Sequence, residues 1–90
     1  MALQIINAGP SPEETIEKMR TAIAEALPDG STIEISSGGP RHFEVKVVSS
    51  AFEGLNRVKQ QQLVYGAIAE LMAGHDAPVH AIDRLDCQAP

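Results

Sequence analysis

The sequence predicts a single α+β domain whose elements run α–β–β–α–β, a three-stranded sheet with helices packed on one face. Three observations predict it. Ser11, Pro12, Glu13 and Glu14 open a stretch whose apolar residues recur at helical spacing. Residues 32–36 and 43–48 alternate apolar and polar side chains at the period of a strand. The run from His42 to Met72 changes period once, near its middle, so that a strand hands over to an amphipathic helix.

Residues 1–10 carry Leu3, Ile5 and Ile6 ahead of Gly9 and Pro10 and read as an N-terminal arm, either a short added strand or an apolar tail packed on the domain. The first helix has Ser11 at its N-cap, Pro12 at the first helical position, where a missing N–H costs nothing, and Glu14 at N3 to complete a capping box. Ile16, Met19, Ile23 and Leu27 follow at spacings of three and four and mark the buried stripe, while Glu13, Glu17, Lys18 and Glu25 face water. Pro28 disfavours helical geometry in Leu27, and Asp29 with Gly30 reads as a turn, so the helix ends at Leu27.

Residues 32–36 form a strand with Ile33 and Ile35 inward, and a Gly-containing loop over 37–41 leads to an antiparallel partner over 43–48, with Phe43, Val45 and Val47 inward. Gly54 turns the chain and Phe52 anchors that turn. Leu63, Val64, Ala67, Ile68, Leu71 and Met72 form the stripe of the central helix, residues 74–78 break it, and 79–85 read as a third strand. The domain thus covers 11–85, with 86–90 as a C-terminal tail expected to fray.

Ninety residues provide for one core. The net charge of −5 opposes broad attraction to phosphate backbones or anionic membranes. The aromatics are Phe43, Phe52 and Tyr65, and two of them sit at core positions, which leaves no platform for stacking bases. The lone Cys87 excludes an internal disulfide and suits a reducing compartment. No apolar run reaches the ~18 residues of a membrane span. The N-terminus lacks the basic and long apolar regions of a signal peptide. A cytoplasmic protein with no membrane partner is expected, as a monomer or weak homodimer.

The sequence holds no nucleophile elbow, phosphate loop, CxxC or HExxH, and no spacing that converges two carboxylates, so no catalytic residue is assigned and a non-enzymatic role is expected. Three histidines remain. His42 opens the second strand beside the Gly-rich loop, and His80 opens the third beside the 74–78 break. Were those strand starts adjacent, the two imidazoles would present a metal-binding corner suited to Zn, Cu or Fe; two surface histidines without a metal role are the other reading. His75 sits in a turn next to Asp76 and reads as solvated, and Cys87 is either a bystander or a soft ligand. Arg57 and Lys59, with Arg41, form either a local basic patch or ordinary solvated positions.

HFEVKVVSSAFEGLNRVKQQQLVYGAIAELM, followed after a short gap by VHAI, resembles the BolA family over residues 14–85. The most specific parts are Val47 to Ser49, Phe52 to Gly54, Leu63 to Tyr65, and His80 with Ala81. RVKQQQLVYG resembles the IbaG-like branch, with Gln60, Gln61 and Gln62 where a basic triplet otherwise stands. The resemblance implies a fold related to the class II KH domain and two activities. One is partnership with monothiol glutaredoxins of the CGFS type in iron–sulfur trafficking or iron regulation. A [2Fe-2S] cluster is then shared, the glutaredoxin supplying its Cys and a glutathione thiolate, the BolA-like protein a C-terminal His and a second ligand from the loop between its first two strands. His80 matches the C-terminal ligand. Gly39 and Pro40 stand where relatives carry a loop His or Cys and neither coordinates, which leaves His42 as the nearest donor. The other implied activity is transcriptional regulation by nucleic-acid binding, here DNA or RNA met by Arg57, Lys59 and Arg41. KH domains clamp the backbone with a GXXG loop; the corresponding turn, Gly54, Leu55, Asn56 and Arg57, keeps only the first Gly.

Overall fold

The computed structural model describes residues 11–90; the arm expected over 1–10 lies outside the described residues. Helix α1 spans Pro12–Ala26 and begins with the expected capping box. The Glu14 N–H donates to the Ser11 hydroxyl at 3.2 Å, and the Ser11 N–H donates to the Glu14 carboxylate at 3.1 Å. Its buried stripe is Thr15, Met19 and Ile23. Leu27 caps the end in extended geometry, as the following Pro28 requires.

Strands β1 (Thr32–Gly39), β2 (His42–Val48) and β3 (Ala81–Gln88) form one sheet in the order β1-β2-β3, with β1 antiparallel and β3 parallel to β2. The chain crosses from β2 to β3 through a 3₁₀ turn (Ser50–Phe52), helix α2 (Arg57–Ala67) and a second 3₁₀ turn (Ala69–Met72). Gly54 has the positive φ of 78° that the turn into α2 requires, and Asn56 caps α2 by accepting from the Lys59 N–H at 2.9 Å. Helix α1 packs on β1, α2 on β3, and the two helices touch.

The core lies between the helices and the face of β2 that carries Phe43, Val45 and Val47, joined by Met19, Ile23, Phe52, Val64, Ile68 and Val79. Leu63, expected on this stripe, is 40% exposed. It lies about 100° around α2 from the buried Val64, and the helix gives way to a 3₁₀ turn before its stripe can run on. The opposite face of the sheet is polar. Glu34 pairs with Lys46 and Lys46 with Asp86, while Ser36 pairs with Glu44 and Glu44 with Arg84. Opposite charges thus neighbour one another across the strands.

The hairpin and the third strand differ in their boundaries from those the sequence predicts. Instead of a loop over 37–41, β1 continues to Gly39 and the turn holds only Pro40 and Arg41. Pro40 takes the first central position, and Arg41, at φ 62°, takes the second in the left-handed region. That backbone costs a side-chain-bearing residue about 1–2 kcal/mol. It is held because the Arg41 carbonyl accepts both the His80 N–H at 2.8 Å and the Ala81 N–H at 3.2 Å.

The third strand begins at Ala81 rather than 79 and runs past 85 to Gln88. Asp86, Cys87 and Gln88 pair with Lys46, Val47 and Val48, and the Ser49 N–H donates to the Gln88 carbonyl at 2.9 Å. Those bonds hold a segment whose polarity reads as tail. Val79 is buried, and its N–H bonds the Leu71 carbonyl.

Helix side chains cap backbone on both outer strands. Arg20 donates to the Ile33 carbonyl of β1 at 2.7 Å, and Gln61 to the Leu85 carbonyl of β3 at 3.3 Å. Truncating the fully buried Phe52 to Ala is expected to cost about 3–5 kcal/mol. Ser11→Ala should cost about 1 kcal/mol, both read as lowered midpoints in urea unfolding.

Candidate metal centre

Parallel pairing sets His42 opposite Ala81, so His80 lies beside the beginning of β2. The two imidazoles stack with ring centroids 5.9 Å apart and planes 12° from parallel. The corner that the sequence places only on condition that these strand starts adjoin is therefore present as a histidine pair. His42 is half-exposed and His80 exposed. On its other side His80 shares a cavity of about 340 Å³ with Met72, Gly74, His75, Ala77 and Val79; His75 is exposed, as expected.

A third side chain meets the pair. The His42 Nδ1 lies 2.9 Å from the Asp83 Oδ1, and both side chains are 43% exposed. Asp83 owes its place to an irregularity in β3: Phe43 pairs with Ile82 and Glu44 with Arg84, so Asp83 is an extra residue, a β-bulge. The bulge resolves a phase conflict in the sequence. Ile82 and Leu85 are three apart, a spacing that would send them to opposite faces of a regular strand, and one inserted residue returns both to the core side. That odd spacing is the signal by which the bulge, and the unassigned Asp83, can be found in the sequence.

Among the described residues no group of three or more His, Cys, Asp or Glu is arranged to hold a metal ion. Metal–imidazole bonds are about 2 Å, which puts two imidazoles on one ion roughly 5–6 Å apart between centroids. The spacing of His42 and His80 falls in that range, but their near-parallel planes must turn before both nitrogens meet one ion, and the pair by itself would fill only two positions of such a centre. Gly39 and Pro40 lie in and beside the turn and offer no side-chain donor.

Cys87 is remote from the histidines. It pairs with Val47, about 17 Å along the sheet from the His42–Ala81 pair, and packs against the core. Burial, with a smaller push from Asp86, raises its thiol above the ordinary 9.0.

The basic residues divide between the two ends of the sheet. Arg41 occupies the hairpin turn at the histidine end. Arg57 and Lys59 lie in the first turn of α2, where Arg57 lines a cavity of about 230 Å³ with Gln61, Arg84, Leu85, Asp86 and Cys87. The structure does not bring Arg41 to them, and it adds Arg84, unassigned from sequence, beside Arg57. Two of the three glutamines have structural roles: Gln60 donates to the carbonyls of Phe52 at 3.2 Å and Leu55 at 2.9 Å, and Gln61 braces β3.

The element order, the mixed sheet and the helix-covered face define a BolA-like α+β domain. The family model described as BolA-like protein matches residues 16–90, and the chain belongs to the BolA family. It is 42% identical over 72 residues to BolA-like protein 1 of Homo sapiens, covering 71% of this chain and 50% of that protein. It is 46% identical over 46 residues to the acid stress protein IbaG of Escherichia coli strain K12, covering 51% of this chain and 52% of that one. The chain thus matches about half the length of these curated relatives. The solved structure of BolA1 from Arabidopsis thaliana superposes with a TM-score of 0.65 at 31% identity, covering 96% of this chain and 95% of that one.

Because the folded state holds the Cys87 proton more tightly, the thiolate, which is the reactive form, is scarcer than in the unfolded chain at neutral pH. Iodoacetamide should therefore label Cys87 more slowly in the folded protein than in urea, followed by intact mass. The same linkage adds stability below the unfolded thiol's range and withdraws it as pH rises through the raised folded value.

Proposed function

We propose that this chain is a non-enzymatic partner of monothiol glutaredoxins of the CGFS type, sharing with them a [2Fe-2S] cluster in iron–sulfur trafficking or iron regulation. The observation that carries this reading is the His42–His80 pair, two exposed or half-exposed imidazoles from neighbouring strand starts, 5.9 Å apart. The family resemblance supplies the other half of the site, a glutaredoxin Cys and a glutathione thiolate.

The pair's position at one end of the sheet leaves it open to a second protein. Ligation by both rings requires them to converge from near-parallel, a rotation that the broad imidazole χ2 torsion permits. Imidazole in place of thiolate lowers the negative charge on an iron centre and raises its potential. Both rings must be unprotonated to ligate, so acid weakens the complex. An exposed, shared site favours handing a cluster on over performing chemistry with it.

Nucleic-acid binding through Arg57, Lys59 and Arg41 is the alternative. Its three residues lie at two ends of the sheet, and the chain's net charge is −5.

Anaerobic reconstitution with a CGFS glutaredoxin, iron, sulfide and glutathione, followed by visible absorption and circular dichroism, tests the proposal. The wild type should give a spectrum distinct from that of the glutaredoxin homodimer. His80→Ala should abolish it, and His42→Ala should abolish or destabilise it. A glutaredoxin spectrum left unchanged by the wild type refutes cluster sharing.

A further inference from the structure

An irregularity flanks His42 on each side. Gly38 is the extra residue of β1, between the pairs Ser37–Phe43 and Gly39–His42, and Asp83 is the extra residue of β3. Bulges are rare in parallel pairs, and they re-aim the side chains they carry. Here the carboxylate of Asp83 meets the His42 Nδ1 through Oδ1 at 2.9 Å, while a Cβ built at Gly38 would stand 3.4 Å from Oδ2. Gly38 thus lies directly against the carboxylate, within ordinary contact distance of it.

We propose that Asp83 is a positioning residue for metal ligation by His42. By accepting a hydrogen bond from Nδ1–H it selects the imidazole tautomer whose Nε2 is free to bind metal. The inference rests on the cluster-sharing reading above. An Nδ1–H donated to a carboxylate orients metal-binding histidines and strengthens them as donors. Among the described residues the His80 side chain has no such hydrogen bond, so His42 is the fixed ligand and His80 the one that adjusts. The arrangement also accounts for a hairpin with Gly39 and Pro40 at its turn: a strand residue steered from the neighbouring strand takes the place of a loop donor.

Long-range ¹H–¹⁵N correlation spectra of the metal-free protein at neutral pH read the tautomer directly. Wild type should show His42 protonated at Nδ1. Asp83→Ala should lose that preference, and so should Asp83→Asn, because the amide can turn its NH2 to donate to Nδ1 as readily as its oxygen accepts from Nδ1–H. In the reconstituted complex with a CGFS glutaredoxin, Asp83→Ala should release iron to a chelator about tenfold faster than wild type, with Asp83→Asn also faster than wild type. Far-UV circular dichroism checks that each variant is folded.

A wild-type His42 protonated at Nε2 overturns the proposal and leaves cluster sharing intact. So does an Asp83→Ala complex with unchanged dichroism and unchanged iron release. A wild type that shares no cluster removes both, and is recognised by the glutaredoxin spectrum alone.

Discussion

Parallel pairing of β2 with β3 governs the rest of this domain, because parallel strands cannot be joined by a tight turn and the chain must be carried back over the sheet. It returns through α2 and its flanking 3₁₀ turns, and that crossover covers the β3 side of the sheet as α1 covers the β1 side. The same pairing assembles the histidine corner. Were β3 antiparallel, its first residue would lie opposite the end of β2, and His80 would stand a strand's length from His42. The Arg41 carbonyl, bound to the N–H groups of both His80 and Ala81, pins the hairpin turn to this meeting of strand starts.

What was legible in the sequence was local. The cap of α1, its stop before Pro28, the alternation of Phe43, Val45 and Val47, and the turn at Gly54 each depend on a few adjacent residues, and each formed as read. The misreadings share a cause in partners distant along the chain. Asp86, Cys87 and Gln88 have the composition of a tail but are held by β2. The loop over 37–41 contracts to two residues because Gly38 and Gly39 are paired with, or bulged against, the same strand. Of the candidate site, His42 and His80 were recognisable by residue type and position, but their adjacency depended on strand order. Asp83 was marked only by the odd spacing of Ile82 and Leu85, and its meeting with His42 depended on the register shift that places it.

The glutamines show how a substitution can be read for what it removes and missed for what it does. As replacements for a basic triplet, Gln60 to Gln62 reduce the positive charge of α2. In the fold, Gln60 ties the helix to the turn before it, and Gln61 reaches a carbonyl of an outer strand. Arg20 does the same on the other outer strand. Exposed strand edges invite pairing with other chains, and side chains laid across both outer strands, together with alternating charge on the open face, oppose it.

The histidine corner draws one residue from before β2's partner strand and one from the start of β2 itself, with the whole crossover between them in sequence. A ligand held by both imidazoles would therefore be a staple across the two strands, closing a long chain loop without a covalent bond. Since such a ligand binds the folded arrangement and not the open chain, its affinity adds to the stability of the domain. Resistance to unfolding would then report occupancy, and loss of the ligand would loosen first the end of the sheet that carries the histidine pair.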